Sequence, residues 1–489
     1  MEDSKIMKKL RNPLILFLIT VLVLTLLQFS DPAVARAASA TKTLSTNFTI
    51  VNLGSAPTVV TAAYYKQDGS PWTGSIFTSF NLGPGANSVV RQYFDTGLSA
   101  GQGSVILSST AQPIAAVIQE QARNQAPSDA AYSAVSTPSS IYYVPFVSRH
   151  GSSAAGVANS VIVIQNTSAA PIDVSVQLVA RPPSAVSFLK TITQIPAFSS
   201  NSYDLELQGE LGENFWGSAK VSTATAGGSL AVMTNMFSGL DSLIAYNGFP
   251  QGSTSWFIPY LYIRLANTLT TSIILQNIDG APIPANDISM TCVKDPTSPG
   301  TNFPVNNDLE IPVNGAYGFN TLTDTTRFSQ AGWYGGCKLT SASGKQFVTV
   351  IQYRKTANKG MSAYEAVLGS LTSSKVTIPL IAKRLANGFA TSVALQNLGA
   401  TDATVTLTYT PEGGGTPIIR SGVLISANGS IQRNFRLVET ESPDIPDGWV
   451  GSLTVTSDGP AHPIAAFVGN WKFDESIGDT MQAYLGFNQ

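Results

Sequence analysis

TSIILQNIDGAP, residues 271–282, returns 120 residues later as TSVALQNLGATDA, residues 391–403, and fainter copies stand upstream. The asparagine that ends the apolar run is Asn52 in FTIVNLGSAP, Asn166 in VIVIQNTSAAP, Asn277 and Asn397, at intervals of 114, 111 and 120 residues. Three further landmarks keep the same order. A glycine opens a short run at Gly103, Gly217, Gly335 and Gly451; an apolar run follows from Pro113, Ser229, Gln346 and Pro463; an Ala-Tyr pair closes the unit at Tyr132, Tyr246, Tyr364 and Tyr484. Self-similarity over such a distance is read before any local motif, because it fixes the architecture. The chain is four copies of one unit.

Within the unit the apolar period is two. Ile273, Leu275 and Asn277 share one strand face, as do Val393, Leu395 and Asn397, and Phe48, Ile50 and Asn52. The next run alternates again, with Val405, Leu407 and Tyr409 matching Val60, Ala62 and Tyr64. The asparagine ends its strand, where its side chain can cap the following turn. About seven short strands per unit, separated by turn residues, predict an all-β chain of four tandem immunoglobulin-like antiparallel β-sandwich domains. Linkers rich in Ser, Thr, Gly and Pro set the expected units at 41–136, 141–250, 256–370 and 376–489. After each linker comes a strand with an early proline, YYVPFV, WFIPYL or VTIPLI, a residue suited to a sheet edge. The first unit has no such strand once an export segment is removed. The plainer expectation is one long strand over TKTLSTNFTIVN with no gap; the alternative is a missing first strand and an open edge, which a neighbouring chain could extend.

Residues 1–37 carry the order of a signal peptide. Lys8, Lys9 and Arg11 precede the apolar stretch Pro13 to Phe29, and AVARAASA offers cleavage after Ala37 or Ala40. The other reading of this segment is an uncleaved membrane anchor, since this largely apolar stretch of 17 residues sits at the lower limit of a span. The chain has 28 basic and 30 acidic residues; the segment removes five and three, leaving 23 and 27. A weakly acidic remainder excludes the usual nucleic-acid footprint. Charged residues are 12% of the chain, about half the ordinary share, so the expected surface is neutral and hydroxyl-rich.

Chemistry is sparse. YFDTGLSAGQGS contains both Asp95-Thr-Gly97 and Gly97-Leu-Ser99-Ala-Gly101, yet the serine elbow needs a following helix and a histidine, and the aspartate needs a second carboxylate. Only His150 and His462 exist, 312 residues apart, and Ser187 to Lys190 matches S-x-x-K without its partner motifs. No catalytic residue, metal site or cofactor is expected. Cys292 and Cys337 fall on inward positions of different strands of the third unit, so a cross-strand or cross-sheet disulfide and two separate buried thiols are both open. Phe215, Trp333 and Trp449 stand two residues before the strand glycine. They are read as plugs at the end of a sandwich, with a ligand-facing carbohydrate platform as the alternative. Sequons occur at Asn47, Asn166 and Asn428.

The combination of QN-(L/I)-G with GS-x-x-V-x-S and PIAA-x-V resembles the tandem β-sandwich repeats of exported bacterial surface proteins of the cell-adhesion-related type, and uncharacterised repeat proteins of Chloroflexus-like bacteria. The resemblance covers about residues 45–489 and brings no catalytic residues with it. It implies a secreted or cell-surface, non-enzymatic structural or adhesive protein made of rigid modules and short linkers. The partners implied are other surface proteins, further copies of itself or glycans. No nucleic acid is implied, and membrane contact only through an uncleaved signal segment. The alternative function is a secreted carbohydrate-binding protein; a hydrolase or enzyme accessory is the third.

Overall fold

The computed structural model describes residues 43–123, 128–153, 156–184, 186–239, 242–266, 268–357, 359–472 and 480–489. The expected signal segment therefore lies outside the described residues. The rest is almost entirely strand, interrupted by three short 3-10 turns, and no helix among the described residues is long and apolar enough to cross a membrane.

Each unit contributes two antiparallel sheets. One is centred on the asparagine strand: Thr43–Asn52, Gly156–Asn166, Leu269–Asn277 and Phe389–Asn397. This strand pairs with the apolar strand Ile114–Arg123, Leu230–Ser238, Phe347–Lys355 or Ile464–Lys472. That strand in turn pairs with a closing strand: Asp129–Ser133, Ser242–Asn247, Gly360–Glu365 or Met481–Leu485. The second sheet holds the glycine strand: Gly103–Ser109, Phe215–Ser222, Tyr334–Ser341 or Val450–Ser457. The two sheets face each other across apolar side chains. In the first unit Phe48, Ile50 and Val90 from one sheet meet Val60, Ala62 and Leu82 from the other.

In units two to four the glycine strand is also flanked by a proline strand, Ile141–Arg149, Ser255–Tyr262 or Lys375–Ala382. The register slips beside Pro145, Pro259 and Pro379, so each proline, which has no N–H to donate, sits in a bulge. In the first unit Thr43–Asn52 is one continuous strand, but it occupies the asparagine-strand place, pairing with Asn87–Arg91 and Ile114–Arg123. Among the described residues Gly103–Ser109 pairs only with Thr58–Lys66. A long first strand therefore does not fill the gap beside the glycine strand.

The expectation of modules on linkers is altered by their packing. Residues 44–489 form one compact unit, and a single apolar cluster runs from Tyr142 and Val144 of unit two, through Trp256 and Tyr353 of unit three, to Phe467 and Trp471 of unit four. The closing strands meet in order: that of unit two touches those of units one and three, and that of unit four touches those of units three and one. The four copies thus surround a shared centre as a closed ring.

Candidate functional site

Period two decides what the Ala-Tyr pair does, because adjacent residues of a strand face opposite ways. The tyrosine turns into its own unit: the hydroxyl of Tyr364 donates to Tyr260 O at 3.1 Å, that of Tyr484 to Leu380 O at 3.0 Å, and that of Tyr246 to Phe146 O. Each acceptor is the carbonyl just after the bulge proline. The alanines Ala131, Ala245, Ala363 and Ala483, all buried, take the other face, where the closing strands meet. A small side chain lets four strands approach one another.

The repeated QN dipeptide divides the same way. The asparagine serves its own unit. Asn277 Nδ2 donates to Ala281 O and Ile311 O, both at 3.0 Å, and its Oδ1 accepts from Asp279 N at 2.9 Å. Asn52, Asn166 and Asn397 repeat this pattern with Gly54, Ser168 and Gly399 as the N–H donors. A buried amide therefore closes a turn that would otherwise leave carbonyls unpaired. Fully buried and bonded in this way, Asn166 is closed to glycosylation despite its sequon. The glutamine serves the neighbour: Gln276 Nε2 donates to Ala219 O of unit two at 3.1 Å, and Gln396 Nε2 to Cys337 O of unit three at 3.3 Å.

The glycine strand is the receiving side of each seam. Ser104 Oγ donates to Phe198 O at 2.6 Å, Ser218 Oγ to Asn314 O at 2.6 Å, and Ser452 Oγ to Gly85 O at 3.0 Å. Unit one thus grips two, two grips three, and four grips one. At the third to fourth seam the serine is replaced by Gly336, where a Cβ would lie 2.2 Å from Ser430 Oγ and 2.8 Å from Gln396 Nε2. One head-to-tail contact, used four times, closes on itself. The preceding glycine is needed within the unit: a Cβ at Gly103, Gly217, Gly335 or Gly451 would fall 2.1 to 2.3 Å from a carbonyl oxygen of the paired strand.

Polar groups are trapped in the seams. Glu120 of unit one accepts from Asn235 Nδ2 of unit two at 2.8 Å and from the Tyr132 hydroxyl at 3.5 Å. Burial pushes its carboxyl up to about 7, against the smaller opposing effect of those two donors. Gln119 Nε2 donates to Gln482 Oε1 across the one to four seam at 2.7 Å.

Cys292 and Cys337 form a disulfide between directly paired residues of adjacent strands in one sheet, with Cα atoms 4.1 Å apart. Phe215 and Trp333 are buried, and the indole N–H of Trp333 donates to Thr301 O at 3.0 Å. Half-buried Trp449 packs edge-on against Tyr409. The alternative reading as a sugar platform is corrected for Phe215 and Trp333, which have no open ring face; Trp449 is only partly buried.

The two accidental motifs are turn chemistry. Asp95 is buried and accepts from Ser75 Oγ at 2.5 Å, Ile76 N at 3.2 Å and Gly97 N at 3.1 Å. Exposed Ser99 accepts from the Trp72 indole at 3.2 Å. His150 is bonded to Glu213, and His462 to Asp458 and Thr401, so neither imidazole is Ser99's partner. Among the described residues no group of three or more His, Cys, Asp or Glu could hold a metal ion.

No family model matches the chain, and no curated protein matches it. Among solved structures, Thermotoga maritima 1070 is 17% identical over 24% of this chain and 95% of its own, with a TM-score of 0.19. The C-terminal domain of the antigen I/II-family protein AspA of Streptococcus pyogenes is 9% identical over 48% of this chain and 99% of its own, with a TM-score of 0.10. Neither likeness carries an argument about function.

Proposed function

We propose that the protein is an exported, non-enzymatic structural or adhesive element of the cell surface or extracellular space, built from four immunoglobulin-like sandwiches. The observation that carries this reading is the use made of the repeated residues. Asparagine, glutamine, serine and alanine serve turns and seams, and glycine and tyrosine serve packing within the unit, so the repeated sentence builds a scaffold. What remains outward is a set of loops and sheet edges with few charges. The outer strands Ser187–Ile195 and Ile418–Ile425 leave Leu189, Ile419 and Leu424 exposed, apolar points of the kind that mark contact surfaces. A disulfide in unit three suits an oxidising compartment.

The test is light scattering coupled to size-exclusion chromatography on the chain from Ala38, with electron microscopy as concentration rises. Ordered assembly, or retention on envelope material without turnover of any offered substrate, is the expected result. A freely soluble monomer that binds no envelope fraction sinks the reading.

One observation favours carbohydrate binding as a second reading. Tyr93 and Phe94 stand 57% and 60% exposed in an edge-on pair on the turn Gln92–Phe94, and exposed aromatic faces can stack on sugar rings. Glycan-array binding lost in Tyr93→Ala and Phe94→Ala would favour it over adhesion through protein contacts.

A further inference from the structure

The first unit is built like the other three except along one edge. Gly217 to Ser222, Tyr334 to Ser341 and Val450 to Ser457 each have a proline strand on one side; Gly103–Ser109 has none among the described residues. The core beneath is correspondingly less covered. Ala219 and Val221, Cys337 and Leu339, and Leu453 and Val455 are at most 1% exposed, whereas their counterparts Val105 and Leu107 are only partly buried. Ile118 is also partly buried, while Thr234, Ile351 and Val468 in the same place are fully buried. The closing tyrosine shows the same gap. In units two to four its hydroxyl bonds the carbonyl after the proline; in unit one Tyr132 turns to Glu120 instead.

We propose that this edge is an acceptor site for an extended strand supplied by a separate polypeptide, apolar at alternate positions around a bulge. The three filled slots define the occupant. Counting from the proline, the residues three before it are Tyr142, Trp256 and Val376; one before, Val144, Ile258 and Ile378; two after, Val147, Leu261 and Ile381, all buried. The incoming strand pairs its backbone with Gly103–Ser109, covers Val105, Leu107 and Ile118, and presents a carbonyl to Tyr132, the edge-pairing mode of strand addition. The chain's own upstream residues suit the slot poorly. Pro32 stands 20 residues before Asn52, close to the 21, 18 and 18 of the other units, but the residue before it is Asp31. A carboxylate there would be buried where Val144, Ile258 and Ile378 sit, without a partner. Under the export reading these residues leave with the signal segment. The proposal uses only that part of the function proposed above, and its failure would leave adhesion through other surfaces untouched.

The experiment uses the chain from Ala38 and a synthetic peptide of residues 141–149, IYYVPFVSR, as the probe, read by hydrogen exchange of Gly103–Ser109. The expected result, at those amides of the strand that point away from Thr58–Lys66, is fast exchange alone and at least about tenfold slowing with the peptide. A peptide carrying Val144→Asp should give no slowing, which controls for non-specific binding without altering the protein. No slowing with the unaltered peptide, or equal slowing with both, overturns the site. Protection already present in the full chain and lost on starting at Ala38 would assign the slot to residues upstream of Ala38 and overturn supply by a separate polypeptide.

Discussion

At the residue scale, the asparagine of each repeat has a cost that can be measured. Asn277→Ala removes the donor to two carbonyls and the acceptor for one backbone N–H, all in a buried turn. A loss of roughly 2–4 kcal/mol in urea denaturation is expected, the cost of leaving buried polar groups unpaired. Glu120 gives a pH signature. Its folded-state value near 7 stands above the ordinary 4.5, so the folded chain keeps a proton that the unfolded chain releases as pH rises from about 4.5 to 7. The stability this contributes is complete below the lower value and lost through the upper one. Glu120→Gln should therefore flatten the decline of stability between pH 5 and pH 7.5, read from denaturation midpoints. These two residues also differ in legibility. The asparagine's cap is local in sequence and could be read from its place before a turn. Glu120 lies in a segment whose period-two pattern says nothing of Asn235, 115 residues away.

At the scale of elements, the closing strands and the disulfide can be perturbed separately. Ala363→Leu adds volume where the strand Gly360–Glu365 meets both of its neighbours, and overpacking of this kind costs about 1–3 kcal/mol. A leucine introduced at a partly exposed, outward position of a strand, Thr406→Leu, should cost far less. Replacing both Cys292 and Cys337 by Ala opens a loop of 45 residues and should lower stability by about 3–4 kcal/mol on the chain-entropy account, measured against the oxidised parent by thermal or urea unfolding. The strands themselves were legible, because alternation and glycine placement are properties of neighbouring residues. The pairing of the cysteines was not, since inward positions on two strands allow a bond within a sheet or across the sandwich, and register alone decides.

At the scale of the whole molecule, seams of one kind close a ring, so the four units should not unfold independently. A single cooperative transition seen alike by fluorescence and circular dichroism is expected, and separate transitions would show that the seams are weak. Chains 38–250 and 251–489 made together should associate as one heterodimer by size-exclusion chromatography, because each half exposes the serine or glutamine side of a seam that the other completes.

The sequence by itself determined the unit, its number of copies, the period-two strands, the turn asparagines and the strand glycines, because each of these rests on residues close in the chain or on plain repetition. Tertiary structure alone decided that the units pack into one body. A glutamine beside a capping asparagine, or an alanine beside a tyrosine, looks the same on a solitary domain as on a seam. Only when four copies are brought together does Gln396 find Cys337, Ser452 find Gly85, and the first unit stand out as the one whose glycine strand, among the described residues, lacks its neighbour.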